Sequence, residues 1–256
     1  MSDAGTNRLG LLLLASVCLF PLAYLLLRSF AFDWRYPALL PSRWSLNAWE
    51  DALLGGGKLG LAALRSLACA VLVACLATCA GFISSRMIAR HRRRALLLYL
   101  AHIPFVLSPV IFGICLLPLY LQLNLVGGFT GVALAQFTLA YAYAILYFQS
   151  FWGPRTQALE EQISTLGGNQ WQIWTRVLIP KARPFGIICL LQTGLLSWFD
   201  YGFAAVIGAG KFQTLTVLVF AYLGEANQTL AAAAATLLTA PLALLVLLMN
   251  KHRLKP

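Results

Sequence analysis

The stretch Glu161–Pro180, EQISTLGGNQWQIWTRVLIP, decides how the rest of this chain is read. It is a polar hinge between two apolar segments. Glu161 opens it, Gly167 follows six residues later, and Val177, Ile179 and Pro180 close it. Leu159, Ile163 and Leu166 fall at i, i+4 and i+7, so the spacing predicts a short amphipathic helix with one apolar stripe. Thr156, just after Pro154, is its expected N-cap. Glu160 and Glu161 are expected near its start, where carboxylates suit the helix dipole. Gly167 and Gly168 should end it, because glycine readily takes the left-handed conformation of a cap. A second helix is expected from Asn169, with Trp171, Trp174, Val177 and Leu178 as its stripe. Pro180 is expected to stop that helix and Pro184 to start the next apolar segment.

Outward from this hinge the chain is apolar. Its 256 residues are 60% hydrophobic and 11% charged, and mean hydropathy is +0.78. Soluble domains carry about 25% charged residues. Six runs are long enough to cross a ~30 Å hydrocarbon core as helices: Leu9–Leu27, Leu61–Ser84, Ala95–Leu121, Gly131–Phe151, Phe185–Ile207 and Thr229–Asn250. Pro104, Pro109 and Pro118 are expected to bend or break the third. The alternation of a β-barrel is absent, which leaves an all-α membrane protein of six spans. The sequence reads as one transmembrane domain, 1–256, with a core at about 60–250 and an extra first helix and connection at 1–57. Leu9–Leu27 is read as a retained helix rather than a cleaved signal, since its charged flank is weak and no small-residue cleavage site follows. Trp34, Trp44 and Trp49, in the polar connection Phe30–Gly57 that also contains Pro37 and Pro41, suit a membrane–water interface.

The net charge of +11 is distributed by side. The N-terminus, the Arg86–Arg94 connection, the loop at 153–184 and the tail together hold 13 of the 19 Lys and Arg residues. The positive-inside rule then places both termini and the Glu161 loop in the cytoplasm. No basic patch is interleaved with exposed aromatics, so nucleic acid is not an expected partner, and the lipid bilayer is. Cys18, Cys69, Cys75, Cys79, Cys115 and Cys189 all fall in apolar runs and read as small packing residues. Cys75 and Cys79 share a helix face, but His91, His102 and His252 lie elsewhere in the sequence, so neither a metal site nor a cofactor is expected. Gly55-Gly56-Gly57-Lys58 lacks the Ser or Thr of a phosphate loop, Leu59 standing in its place. Arg28 and Arg65 are expected to snorkel. Tyr141, Tyr143 and Tyr147 either pack or hydrogen-bond across helices.

The Glu161 loop resembles the "EAA" loop of permease subunits in type I ATP-binding-cassette (ABC) importers, whose pattern is E-A-A, three residues, G, nine residues, I, one residue, L-P. Glu161, Gly167, Val177, Ile179 and Pro180 match, with Val for Ile and Ile for Leu. Gln162 and Ile163 replace the two alanines. The upstream segment LRSLACAVLVACLATCAGFISSRMIAR also looks like the start of the permease core, with Arg65-Ser66 where the family often has Asn-Ser. The resemblance covers about residues 60–250. It implies a non-catalytic subunit that forms half of a translocation pathway with a second permease subunit, identical or related. A separate ATPase and an extracytoplasmic solute-binding protein complete the system, in a bacterial cytoplasmic (inner) membrane. Glu160, Glu161, Leu166, Gly167, Trp171, Val177, Ile179 and Pro180 are then the expected ATPase-coupling residues.

Asp200, the one acid inside a span, either lines the translocation path or is a structural acid bonded to groups such as Trp198, Tyr201 or Lys211. The stretch SWFDYG and the single span before the core are similar in style to the polyamine, ferric-ion and thiamine group. Other readings of the same residues are an interfacial helix lying on the membrane, a membrane-integral enzyme using Asp200 with His102, and a scaffold that docks some other protein.

Overall fold

The computed structural model of the chain describes residues 3–32, 34, 38, 41, 43–53 and 57–253. Pro37, Gly55, Gly56 and the last three residues of the tail lie outside these, as does the Cys18 side chain. In chain order the helices are α1 (Asp3–Ser29), α2 (Asn47–Leu53), α3 (Lys58–Ala89), α4 (Arg94–Val106), α5 (Pro109–Gln122), α6 (Phe129–Phe148) and α7 (Pro154–Thr165). Then come α8 (Gln170–Gln172, continued by a π-helical turn at Ile173–Leu178), α9 (Ile179–Trp198), α10 (Gly202–Gly208), α11 (Leu215–Gly224) and α12 (Gln228–Arg253). Among the described residues the fold is all-α apart from two two-residue strands, paired antiparallel with Ala31 opposite Trp44 and Phe32 opposite Arg43.

The chain divides into two units, Met1–Leu64 with Thr214–Pro256, and Arg65–Gln213. In the first, α12 packs against α1 and α11. The Thr229 hydroxyl donates to the Ala31 carbonyl at 2.8 Å, and Trp49 stacks on Phe30 with ring centroids 5.6 Å apart. Arg28, expected to snorkel, is instead buried: it donates to the Gln228 side chain and lies over Trp34. An aromatic face and an amide oxygen at the helix end replace water for the guanidinium.

In the second unit, α3, α6 and α9 approach closely because small residues line their contacts. A β-carbon on Gly81 would stand 2.4 Å from that of Ala144. Thr78 and Thr193 share a buried hydrogen bond of 3.3 Å between α3 and α9, and the Tyr141 hydroxyl donates to Ser84 at 2.6 Å between α6 and α3. Beneath the loop lies an aromatic cluster. Phe82 is 5.0 Å from Phe148, 5.1 Å from Trp152, 5.7 Å from Phe151 and 5.6 Å from Trp174, centroid to centroid.

Two helix pairs are sharply bent, α4–α5 by 101° and the Gln170–Trp198 segment against α10 by 51°. Of the three prolines expected to disrupt this region, only Pro109 sits at the break. Ser108 before it is extended (φ −60°, ψ 142°), as the residue preceding a proline prefers, and the proline then opens α5. Pro104 and Pro118 lie within helices. Among the described residues, α3 and α6 alone are long and apolar enough to cross a bilayer, and up to four spans result if each bent pair is one.

The Gly81 contact has a testable consequence. Gly81→Val should lower the thermal stability of the detergent-purified protein by about 1–3 kcal/mol through overpacking against Ala144. An unchanged melting temperature would show that α3 and α6 are not this close.

Candidate functional site

The loop between α6 and α9 is built by local rules. Gly153 is the N-cap of α7 and Pro154 its first residue. A proline at that position fixes where the helix begins, so Thr156 falls two residues inside rather than at the cap. Its hydroxyl donates to the Phe151 carbonyl at 2.7 Å and accepts from Lys181 Nζ at 3.2 Å. With that start, Glu160 and Glu161 lie beyond the first turn, out of reach of the dipole effect expected for them.

The two glutamates diverge instead. Glu161 is exposed. Glu160 is buried and accepts from Arg86 Nε at 3.4 Å and Arg86 Nη2 at 3.2 Å, and Arg90 pairs with the same carboxylate. Consecutive residues on a helix point about 100° apart, so only one of an adjacent pair can face α3. Arg86 does more than pair. Its guanidinium lies 4.6 Å above the Trp174 ring and donates to Gln170 Oε1 at 3.4 Å.

The turn is a Schellman motif. Gly167 takes φ +83°. Its N–H donates to the Ser164 carbonyl at 3.1 Å, and the Gly168 N–H donates to the Ile163 carbonyl at 3.0 Å. Gly168 is needed for another reason, since a β-carbon there would stand 2.6 Å from Ile163 Cγ2. The second helix begins as expected at Asn169, with a full capping box. Asn169 Oδ1 accepts from the Gln172 N–H at 2.8 Å, and Gln172 Oε1 accepts from the Asn169 N–H at 3.1 Å.

Past the turn the structure departs from expectation. Pro180 does not stop the second helix. The chain runs Ile173–Leu178 as a π turn, in which the Ile179 N–H donates to Trp174 five residues back, and continues directly as α9. The wider turn changes hydrogen-bond register just before Pro180, so the missing N–H of the proline costs no bond of a regular α-ladder. Pro184 accordingly lies inside α9 and does not start it. The π turn also divides the expected apolar stripe. Ile173 and Leu178 enter the aromatic cluster with Trp174 beside them, and Val177 is half-buried. Ile179 and Pro180 are exposed. Leu166 is 86% and Trp171 75% exposed, one on each side of the Gly167 turn.

The remaining predicted site residue, Asp200, stands at the break between α9 and α10. Its carboxylate accepts from Gln136 Nε2 at 3.0 Å, the Phe203 N–H at 3.3 Å and the Ala204 N–H at 3.0 Å, while Ser197 donates to Gln136 Oε1 at 2.6 Å. It is thus a hydrogen-bonded acid, and it also lines an open groove of about 630 Å³ with Pro109, Tyr143, Gln192, Phe199 and Tyr201. There the Tyr143 hydroxyl donates to Gln192 Oε1 at 2.6 Å. His102 Nδ1 lies 2.7 Å from the Leu98 carbonyl in its own helix. Among the described residues no three His, Cys, Asp or Glu come together as a metal site would require.

Sequence reasoning missed Arg86, Gln170 and the Asn169–Gln172 box. The box was findable, since Asn-x-x-Gln before an apolar run is its signature. Arg86 carried no such sign, being one cation in a cluster of five.

No protein-family model matches the chain. It is 30% identical over 162 residues to a chloroplastic sulfate permease of Chlamydomonas reinhardtii, a match covering 57% of this chain and 44% of that protein. The chain thus spans less than half the length of this relative. It is 27% identical over 233 residues to a melibiose/raffinose/stachyose import permease of Bacillus subtilis, covering 86% of this chain and 80% of the relative. Its fold matches a chain of a bacterial ABC transporter involved in the import of the acidic polysaccharide alginate, with a TM-score of 0.69 at 18% identity over 97% of this chain and 95% of the other. The chain is thus similar in sequence to import permeases and to sulfate permeases, and in fold to a chain of an ABC transporter.

Proposed function

We propose that the chain forms half of a solute translocation path and is driven by a separate ATPase, which it meets through the tip of the Glu161–Pro180 loop. The observation that carries this reading is the pair Leu166 and Trp171, almost fully exposed on either side of a turn whose arms are held rigidly beneath it. Two large apolar side chains held in water cost stability unless a partner covers them. A short helical tip with a Trp anchor suits a groove on another protein. The lining of Gly167 and Gly168 by main-chain hydrogen bonds supports presentation as a preorganised unit, which limits the ordering cost of docking.

The same reading includes six spans with both termini in the cytoplasm, a bacterial inner-membrane location, a second permease subunit and an extracytoplasmic binding protein. The charge distribution supports the orientation. The bent pairs α4–α5 and α9–α10 meet where Gly202 nests against Pro109 and Val110, and the groove opens beside them. For the solute, the committed carboxylate of Asp200 argues against a bare counter-charge for a cation. Tyr143, Gln192 and Tyr201 also line the groove, and their polar groups favour a polar, non-cationic solute over polyamine, ferric ion or thiamine. The relatives named for sulfate and for oligosaccharides are consistent with that preference.

Docking through the tip predicts that Leu166→Ser with Trp171→Ser weakens ATPase association by at least about 2 kcal/mol, roughly 30-fold. Membrane insertion should be unchanged. The check is the amount of ATPase recovered with the tagged permease in mild detergent, and undiminished recovery would exclude the tip as the docking element. The orientation predicts that a cysteine at position 166, in a background without the native cysteines, is labelled by a membrane-impermeant maleimide in inside-out vesicles only. Labelling of intact spheroplasts instead would invert the topology.

A further inference from the structure

We propose that Arg86 is the residue through which the loop moves the helix bundle, a positioning residue that locks both arms of the loop onto the end of α3. The inference rests on the ATPase-coupling reading of the loop and adds to it the route by which motion leaves the loop.

The geometry is specific to this side chain. Arg86 touches the first arm at Glu160, and the second at Gln170 and Trp174. One guanidinium therefore spans the Gly167 turn, and a displacement of the tip that moves either arm must move Arg86. A planar fork that pairs two carboxylate oxygens while stacking on an indole is a geometry lysine cannot reproduce. The pair is largely shielded from water, with the Arg86 side chain 12% and the Glu160 side chain 4% exposed, so it is not the weakly coupled kind found on open surfaces. Arg90 shares the carboxylate but is half exposed.

From Arg86 the path into the bundle is continuous. α3 is one unbroken helix of 32 residues. One residue before Arg86, Ser85 accepts from Trp152 Nε1 at 2.7 Å. Ser84 accepts from Tyr141 of α6, and Thr78 bonds Thr193 of α9. α6 and α9 carry Tyr143, Gln192, Leu195 and Leu196 of the groove wall. Ile173 and Leu178 anchor the loop separately in the aromatic cluster, so loss of Arg86 should loosen the linkage without unfolding the loop.

The test uses the full complex with its ATPase, reconstituted in liposomes, with the native cysteines replaced by alanine and Leu196→Cys as a reporter in the groove. The probe is a membrane-impermeant maleimide, with and without ATP plus vanadate. With Arg86 present, nucleotide should change the labelling rate at least about fivefold. With Arg86→Met, the ATPase should still co-purify and hydrolyse ATP, but the change in labelling should fall below about twofold, and Arg86→Lys should restore it only in part. A full nucleotide response in Arg86→Met overturns the inference while leaving the coupling reading intact. No nucleotide response with Arg86 present overturns the coupling reading and this inference with it, and that failure is distinct because it needs no substitution at Arg86. If Arg86→Met does not insert, Arg86→Gln carries the same expectation, and an undiminished response in that variant is equally contrary.

Discussion

A single carboxylate organises the functional end of this protein. Glu160 is buried where α7 meets the end of α3, and its charge is tolerable there only because Arg86 and Arg90 converge on it. That pairing fixes the rotation of α7. The rotation turns Glu161 outward and brings Gln170 and Trp174 under the same guanidinium. The aromatic cluster around Phe82 then has a lid, formed by Ile173, Trp174 and Leu178. With both arms of the loop held down, its tip is left standing clear with Leu166 and Trp171 exposed. On the reading proposed above, a surface that would be a solubility fault on a floppy loop serves as a preorganised docking element on a rigid one.

The second organising feature is the pair of helix breaks in the same unit. Pro109 and Gly202 occupy the starts of α5 and α10, and the absence of a side chain at Gly202 lets the two approach within what would be 2.7 Å of a β-carbon. Asp200 stabilises the second break by accepting from the first amides of α10, and Gln136 and Ser197 extend the network to α6 and α9. Irregular backbone at membrane depth is tolerated where protein groups or a cavity satisfy it. Here the same groups also form one wall of the groove.

Much of the loop was legible from the sequence because its rules are local. Gly167 in the left-handed region, Asn169 opening the second helix and the apolar character of Leu166 and Trp171 follow from residues a few positions apart. What could not be read depends on a neighbour distant in sequence. Which of Glu160 and Glu161 turns inward is decided by Arg86, 74 positions away. The passage of the helix through Pro180 depends on a π turn, whose cause lies in seating Ile173 and Leu178 together in a cluster built from other helices. Thr156 was misplaced by a more local rule, the preference of Pro154 for the first helical position. Asp200 was recognised as unusual from its setting alone, but its partners Gln136 and the α10 amides required the fold.

The central claim is that the tip of this loop is where an ATPase sits. The most direct measurement is to place a photoreactive residue at Leu166, irradiate membranes in which the protein is expressed with its own cell's complement of proteins, and identify the cross-linked chain by mass spectrometry. The account predicts one dominant adduct, a peripheral ATPase chain, with the crosslink mapping to a cleft on its surface. Adducts confined to lipid, or to other parts of this same chain, would contradict it.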